Sequence, residues 1–153
     1  MKLTGEIKLK APRARVFEAL RDPRFFASCI DGLHDLAEID ATRYSARLET
    51  KVAYLQFNFN VVGELTRIDP PRAIDARIEG TPLGVVGRLA ATSVTELIED
   101  GEHTVIRYAI DTALTGKLGS LGQPVLKSKA KEMEKQFVAR LRAAFEQAPA
   151  ETP

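Results

Sequence analysis

The chain has 153 residues, 44% hydrophobic and 28% charged, with 22 basic against 21 acidic side chains and a net charge of +1. These values describe one globular domain and exclude a disordered chain, a fibrous repeat and a bulk positive field for nucleic acid. A single cysteine, Cys29, excludes an internal disulfide framework and fits a reducing compartment.

The N-terminal "MKLTGEIKLKAP" lacks the apolar core of a signal peptide, and no apolar run approaches the ~20 residues that span a bilayer. The expected location is cytoplasmic. Within that stretch, Leu3, Gly5, Ile7 and Leu9 alternate with polar residues, the period of a half-buried strand. In "APRARVFEALRDPRFFASCIDG", Pro12 stands where a helix would begin, with Val16, Phe17 and Leu20 on one face. Asp22-Pro23 ends that helix and starts a second short one, closed by Gly32.

Beyond Gly32 the period is two for about eighty residues. "RYSARLETKV" turns Tyr44, Ala46, Leu48 and Val52 to one side, and "QFNFNVVGEL" does the same with Phe57, Phe59, Val61 and Leu65. Turns are expected at "IDPPR", "GTPLG" and "EDGE". A helical stripe then appears in Leu126, Ala130, Met133, Phe137, Leu141 and Ala144. Ser120 and Gln123 form a capping-box pair that places the helix start close to Ser120. The order is one strand, two short helices, about six antiparallel strands and one long helix, hence an α+β domain at 1–147 with a frayed tail at 148–153. A curved sheet of six to seven strands gripping one helix leaves space between the layers, where ligand cavities form.

Gly116, Gly119 and Gly122 lie just ahead of the long helix, but a phosphate loop is not their purpose. Neither the Walker spacing nor G-x-G-x-x-G is present, and the strands do not alternate with helices. They ease the strand-to-helix crossing, either as the hinge of a movable entrance or as sites of close packing.

Chemistry-bearing residues are sparse. His34 and His103 have no Cys, Asp or Glu at zinc-ligand spacing, so no metal and no cofactor is expected. Cys29 reads as a buried small residue, and no G-x-S-x-G elbow occurs. The sequence therefore names no catalytic residue.

Aromatic and aliphatic residues say more. Phe25, Phe26, Tyr44, Leu48, Phe59 and Tyr108 are candidate cavity residues, joined by Leu118, Leu121 and Val125 at the helix entrance. Core packing is the competing reading, preferred for Phe57 and Phe137; of the adjacent Phe25 and Phe26, at least one faces away from the core. Lys117, Lys127, Lys129, Lys131, Lys135, Arg140 and Arg142, against Glu132, Glu134 and Glu146, give the last helix a basic face. That face is either simply solvated or in contact with anionic lipid or an acidic partner.

Four stretches, "MKLTGEIKLKAPRARVFEAL", "CIDG", "IDPP" and "GKLGSLGQPVLKSKAKEMEKQF", resemble the carbon monoxide dehydrogenase CoxG-like family of the START-like (SRPBCC), birch-pollen-allergen superfamily. They spread over nearly the whole chain. The family usually reads Cys-Ile-Pro-Gly where Asp31 stands here, and its glycine-rich strand is represented by Gly80, Gly84 and Gly87. The resemblance implies a helix-grip fold with an apolar cavity, in an accessory protein of molybdenum hydroxylases. It implies a quinone- or lipid-like guest and peripheral contact at the inner membrane face. Some members carry a C-terminal extension for membrane attachment, whereas this chain reads "APAETP" there. Two alternatives are a polyketide cyclase or aromatase on the same fold, and a chaperone-activator-like interaction domain. A cyclase would point ionisable side chains into the cavity, whereas a carrier would line it with aliphatic and aromatic groups.

Overall fold

The computed structural model describes residues 1–150, with side chains through Glu146. Strand β1 (Lys2–Leu9) leads into helices α1 (Arg13–Arg21) and α2 (Pro23–Ser28). Strands β2 (Leu33–Glu38), β3 (Arg43–Val52), β4 (Leu55–Asp69), β5 (Ala73–Pro82), β6 (Gly87–Asp100) and β7 (His103–Gly116) follow. A 3-10 turn at Gly119–Leu121 then precedes helix α3 (Gln123–Ala150). The strands form one antiparallel sheet in the order β1-β7-β6-β5-β4-β3-β2. Since β1 and β2 lie at opposite edges, α1 and α2 carry the chain across one end of the sheet.

Local chemistry sets these boundaries. Pro12 caps α1 in extended conformation, and the Asp22 carboxylate accepts from the Arg24 backbone N–H at 2.9 Å, with Pro23 in the first turn of α2. The β4–β5 turn holds a cis Pro70–Pro71 bond and closes with Arg72 N–H donating to Asp69 O at 2.7 Å.

Alternation along the strands divides the sheet into two faces. The outer face carries cross-strand pairs such as Arg77–Glu64, Arg88–Glu79 and Arg107–Glu6, exposed and individually weak. The inner face holds two separate apolar clusters. Ile7, Leu9, Val16, Phe17, Ile74, Leu97 and Ile106 pack with Leu141 and Phe145 of α3 at the α1 end. Leu48, Val52, Phe57 and Phe59 pack with Leu118 and Leu126 at the other. Each end of α3 is thereby anchored by its own cluster.

Several details differ from the sequence reading. Ser120 is not a cap: its hydroxyl donates to Lys117 O at 2.6 Å, and α3 starts after Gly122, whose carbonyl accepts from Leu126 N–H. The Gly122 φ of +92° turns the chain too sharply for Ser120 to reach the first turn of α3. Lys117 accordingly lies in the crossing and not on the helix. Helix α2 ends at Ser28 with Cys29 as its C-cap; Gly32 instead meets β3, where any side chain would strike Glu49 O. The helical stripe closes on buried Phe145, because Ala144 rolls to the exposed flank. Strand β5 runs three residues into "GTPLG", shifting that turn towards Leu83–Val86. The tail expected at 148–153 begins inside α3, and 151–153 lie outside the described residues.

Candidate functional site

Between the two clusters the inner face is built from small residues. Along β4, Phe59 and Val61 pack into one cluster and Leu65 and Ile68 into the other, with Gly63 between them. Register places Ala46 opposite Val61, Ile78 opposite Gly63, Ala76 opposite Leu65 and Ala91 opposite Ile78. Ser93, Ile110 and Thr112 continue this floor across β6 and β7. All of these residues are only half-buried although α3 lies over this face, and a Cβ built on Gly63 meets no atom within 4 Å. The backbone of α3 approaches β1 and β3 most closely, so it bridges the sheet above its middle. A hollow floored by Ala, Gly, Ser and Ile results.

One polar pair faces this hollow from above and beside. Glu134 lies four residues after Ala130 and seven before Leu141, which puts it on the inward stripe of α3. Its carboxylate accepts a hydrogen bond from the Tyr108 hydroxyl on β7. Tyr108 lies across its register partner Gly5 on β1, where any side chain would overlap the phenol. Burial raises the Tyr108 hydroxyl well above its ordinary pKa, and the hydrogen bond and negative charge of Glu134 add to the shift. Tyr108 therefore remains a neutral donor throughout the physiological range.

The end of the hollow nearest the start of α3 is rimmed by hairpin tips. Tyr54 (88% exposed) and Leu55 cap β3–β4, and Leu83, Val85 and Val86 (84% exposed) cap β5–β6. An open depression of about 610 Å³ lies there between Val85, Val86, Gly116, Lys117 and Ser120. Lys117 N–H donates to Val86 O at 2.8 Å, tying the crossing to the hairpin, and Leu118 is buried beneath it. A Cβ on Gly116 would lie 2.5 Å from Val86 O, and one on Gly119 would lie 2.8 Å from Leu114 O. Gly116 and Gly122 also have positive φ. Backbone geometry thus demands all three glycines.

The candidate residues distribute unevenly. Leu48, Phe59, Leu118, Leu121 and Val125 come together in the cluster at the rim end. Phe25 packs with the opposite cluster, its ring 6.2 Å from that of Phe145. Phe26 is 40% exposed and leans on Phe137, so the adjacent pair does split between core and surface. Tyr44 is half-buried on the floor side of β3 and donates to Ala41 O at 3.3 Å. Tyr108 borders the hollow. Sequence reasoning misses Glu134 by counting it with the charged face, although its phase with Ala130 and Leu141 is readable.

Cys29 is buried and in no disulfide, and burial raises its thiol pKa despite the opposing Ser28 hydrogen bond and Arg140 charge. His34 pairs with Glu49 at 3.4 Å on the surface, and His103 opens β7. Among the described residues no three metal-ligating side chains come together. On α3, Lys129 pairs with Glu132 and Arg140 with Asp31, while Arg142 donates to Lys8 O.

The family model for CoxG, a carbon monoxide dehydrogenase subunit, matches residues 5–145. The chain belongs to this family. Among solved structures, the chain is similar to a conserved protein from Geobacillus kaustophilus, at 26% identity and TM-score 0.88 over 97% of both chains. It is also similar to the ZhuI aromatase/cyclase from Streptomyces sp. R1128, at 16% identity and TM-score 0.71 over 96% of this chain and 94% of that one. Ara h 8.0201 resembles it at 12% identity and TM-score 0.66 over 96% and 98%. The last two show the fold alone, the helix grip expected from sequence. No curated protein matches the sequence. Among the described residues, no helix is long and apolar enough to cross a membrane.

Proposed function

We propose that the protein binds a hydrophobic small molecule, quinone- or lipid-like, in the hollow beneath α3, as an accessory to a molybdenum hydroxylase of the carbon monoxide dehydrogenase type. The observation that carries this reading is the break between the two apolar clusters. A single-domain core ordinarily packs continuously at crystal-like density. Here the middle of the inner face keeps small side chains and open space over Gly63. An apolar guest of matching length would join the clusters and gain roughly 25 cal/mol per Å² of apolar surface removed from water. Family membership supports the accessory role and the partner class.

The apolar rim at Tyr54, Leu83, Val85 and Val86 suits transfer of such a guest from a bilayer. Lys117 and Lys127, exposed near this rim, favour an anionic surface. Native mass spectrometry of gently purified protein tests the reading: a co-purified quinone or lipid supports it. A bare chain that also fails to bind an uncharged fluorescent apolar probe overturns it.

One observation favours a second reading. Tyr108 and Glu134 are ionisable and border the hollow, as a cyclase would require. A proton-transfer role would use Glu134 as base and Tyr108 as its donor partner. Turnover of a poly-β-ketone substrate, lost in Glu134→Gln, would establish that chemistry; its absence alongside probe binding leaves the carrier.

A further inference from the structure

Glu134 is the one acidic residue on the inward stripe of α3, between half-buried Ala130 and fully buried Leu141. A carboxylate in that position is partly desolvated and presents several acceptor sites, each of which gains from a donor. Among the described residues its only hydrogen bond comes from Tyr108, to Oε2, and no Lys or Arg pairs with it. The single proton of the Tyr108 hydroxyl is used in that bond. Among the described residues Oε1 has no partner, yet it is not among the sealed, unpartnered side-chain atoms, of which Asp75 Oδ1 is the one found there. It is therefore an accessible acceptor on the inward stripe of α3, over a floor that is apolar at Gly63, Ala76, Ile78 and Ile110 and carries hydroxyls at Ser93 and Thr112.

Resting on the carrier reading above, we infer that the hollow selects an amphiphile with a hydroxyl head, of the alkylphenol or hydroquinone class, which donates to Glu134 Oε1 while its apolar tail lies along the small-residue floor towards the rim. A head bearing only acceptors, such as a quinone carbonyl or an ether oxygen, can draw on the Ser93 or Thr112 hydroxyl of the floor but leaves Glu134 Oε1 without a donor. An ammonium head would donate as well, but it must give up more hydration than a neutral hydroxyl to enter an apolar hollow. The hydroxyl is the head that matches both the acceptor and its surroundings. Tyr108 acts as a positioning residue, holding the carboxylate inward by occupying Oε2.

The test is displacement of the uncharged probe phenylnaphthylamine from the full chain by para-nonylphenol and by its methyl ether, which differ by one donor. The phenol is expected to displace the probe at a concentration at least about tenfold lower than the ether, as a hydrogen bond to a charged group predicts. Glu134→Gln, with its fold checked by thermal melting, turns amide N–H groups towards the guest and should reduce that preference to near unity or reverse it. Tyr108→Phe keeps the carboxylate as an acceptor but releases it from its inward position, so it should weaken the preference without reversing it. Equal displacement by phenol and ether in the unaltered protein overturns the inference and leaves the carrier reading intact, as does para-nonylbenzylammonium outcompeting the phenol. Failure of the protein to bind the probe or either amphiphile removes the carrier reading itself.

Discussion

The hydroxyl of Tyr108 on β7 crosses over Gly5 of β1 and donates to Glu134 of α3. Three residues far apart in sequence thus join sheet edge, sheet interior and helix at one point, beside the hollow. Burial and the negative charge of Glu134 make the folded protein hold the tyrosine proton more tightly than the unfolded chain does. The stability this contributes is complete below the ordinary tyrosine value of about 10 and is lost as pH rises above it. Urea midpoints measured upward from about pH 9 should therefore fall more steeply for the unaltered protein than for Tyr108→Phe. At neutral pH that variant should lose about 1 kcal/mol for the missing hydrogen bond. Parallel declines in the two proteins would mean that Tyr108 titrates as it does in solvent.

Filling the floor separates binding from folding. Gly63→Val adds a β-branched side chain to the interior of β4, where glycine is intrinsically unfavourable by up to about 1 kcal/mol, and its Cβ meets nothing within 4 Å. The expected outcome is a melting temperature equal to or above that of the parent, with apolar-probe affinity lowered at least fivefold (about 1 kcal/mol). Undiminished binding in a folded variant would place the guest elsewhere.

Much of the architecture is legible in the sequence because each layer obeys a single period. The alternation of "RYSARLETKV" and "QFNFNVVGEL" identifies the inward residues of β3 and β4, and Pro12 and Asp22-Pro23 mark the short helices. Attention to large side chains obscures the site. Leu48, Phe59 and Leu118 form a cluster that bounds the hollow, whereas its floor includes the small residues Ala46, Gly63, Ala76, Ala91 and Ser93, whose inward phase carries little hydrophobic signal. Glu134 is obscured for the opposite reason, since a charge within a basic helix reads as solvated. The separation of the two clusters depends on strand pairing across the sheet, which local periodicity does not encode.

The strand register itself is open to a direct test. Leu48 is 9% exposed and packs against the cluster of Phe57, Phe59 and Leu126. Leu48→Arg places an unpaired charge there, costing at least about 3 kcal/mol, and should unfold the domain or abolish probe uptake. Circular dichroism melting and probe titration read both. Retention of normal stability and normal uptake would contradict the register that turns Leu48 inward.

The glycines of the crossing meet constraints that alanine does not share. Gly122 has a φ of +92°, and side chains on Gly116 and Gly119 would press on Val86 O and Leu114 O, so alanine at any of the three destabilises the crossing as well as stiffening it. Hydrogen exchange on the unaltered protein avoids that confusion. Lys117 N–H is held by Val86 O, and buried Leu118 pins the segment, but Leu121 and Gly122 donate only to the 3-10 turn itself, at 3.2 and 3.4 Å. The middle of α3 is instead held by regular helical hydrogen bonds and by apolar contacts of Met133, Phe137 and fully buried Leu141. Amides of 119–123 should therefore exchange at least tenfold faster than those of 130–141 (about 1.4 kcal/mol in opening free energy), with Lys117 protected beyond its neighbours. A bound alkylphenol, packing against Leu118, Leu121 and Val125, should slow exchange at 119–123 and leave 138–145 unchanged. Uniform protection from 117 to 141, unaltered by the guest, would mean that these glycines serve close packing alone and that the guest enters by another route.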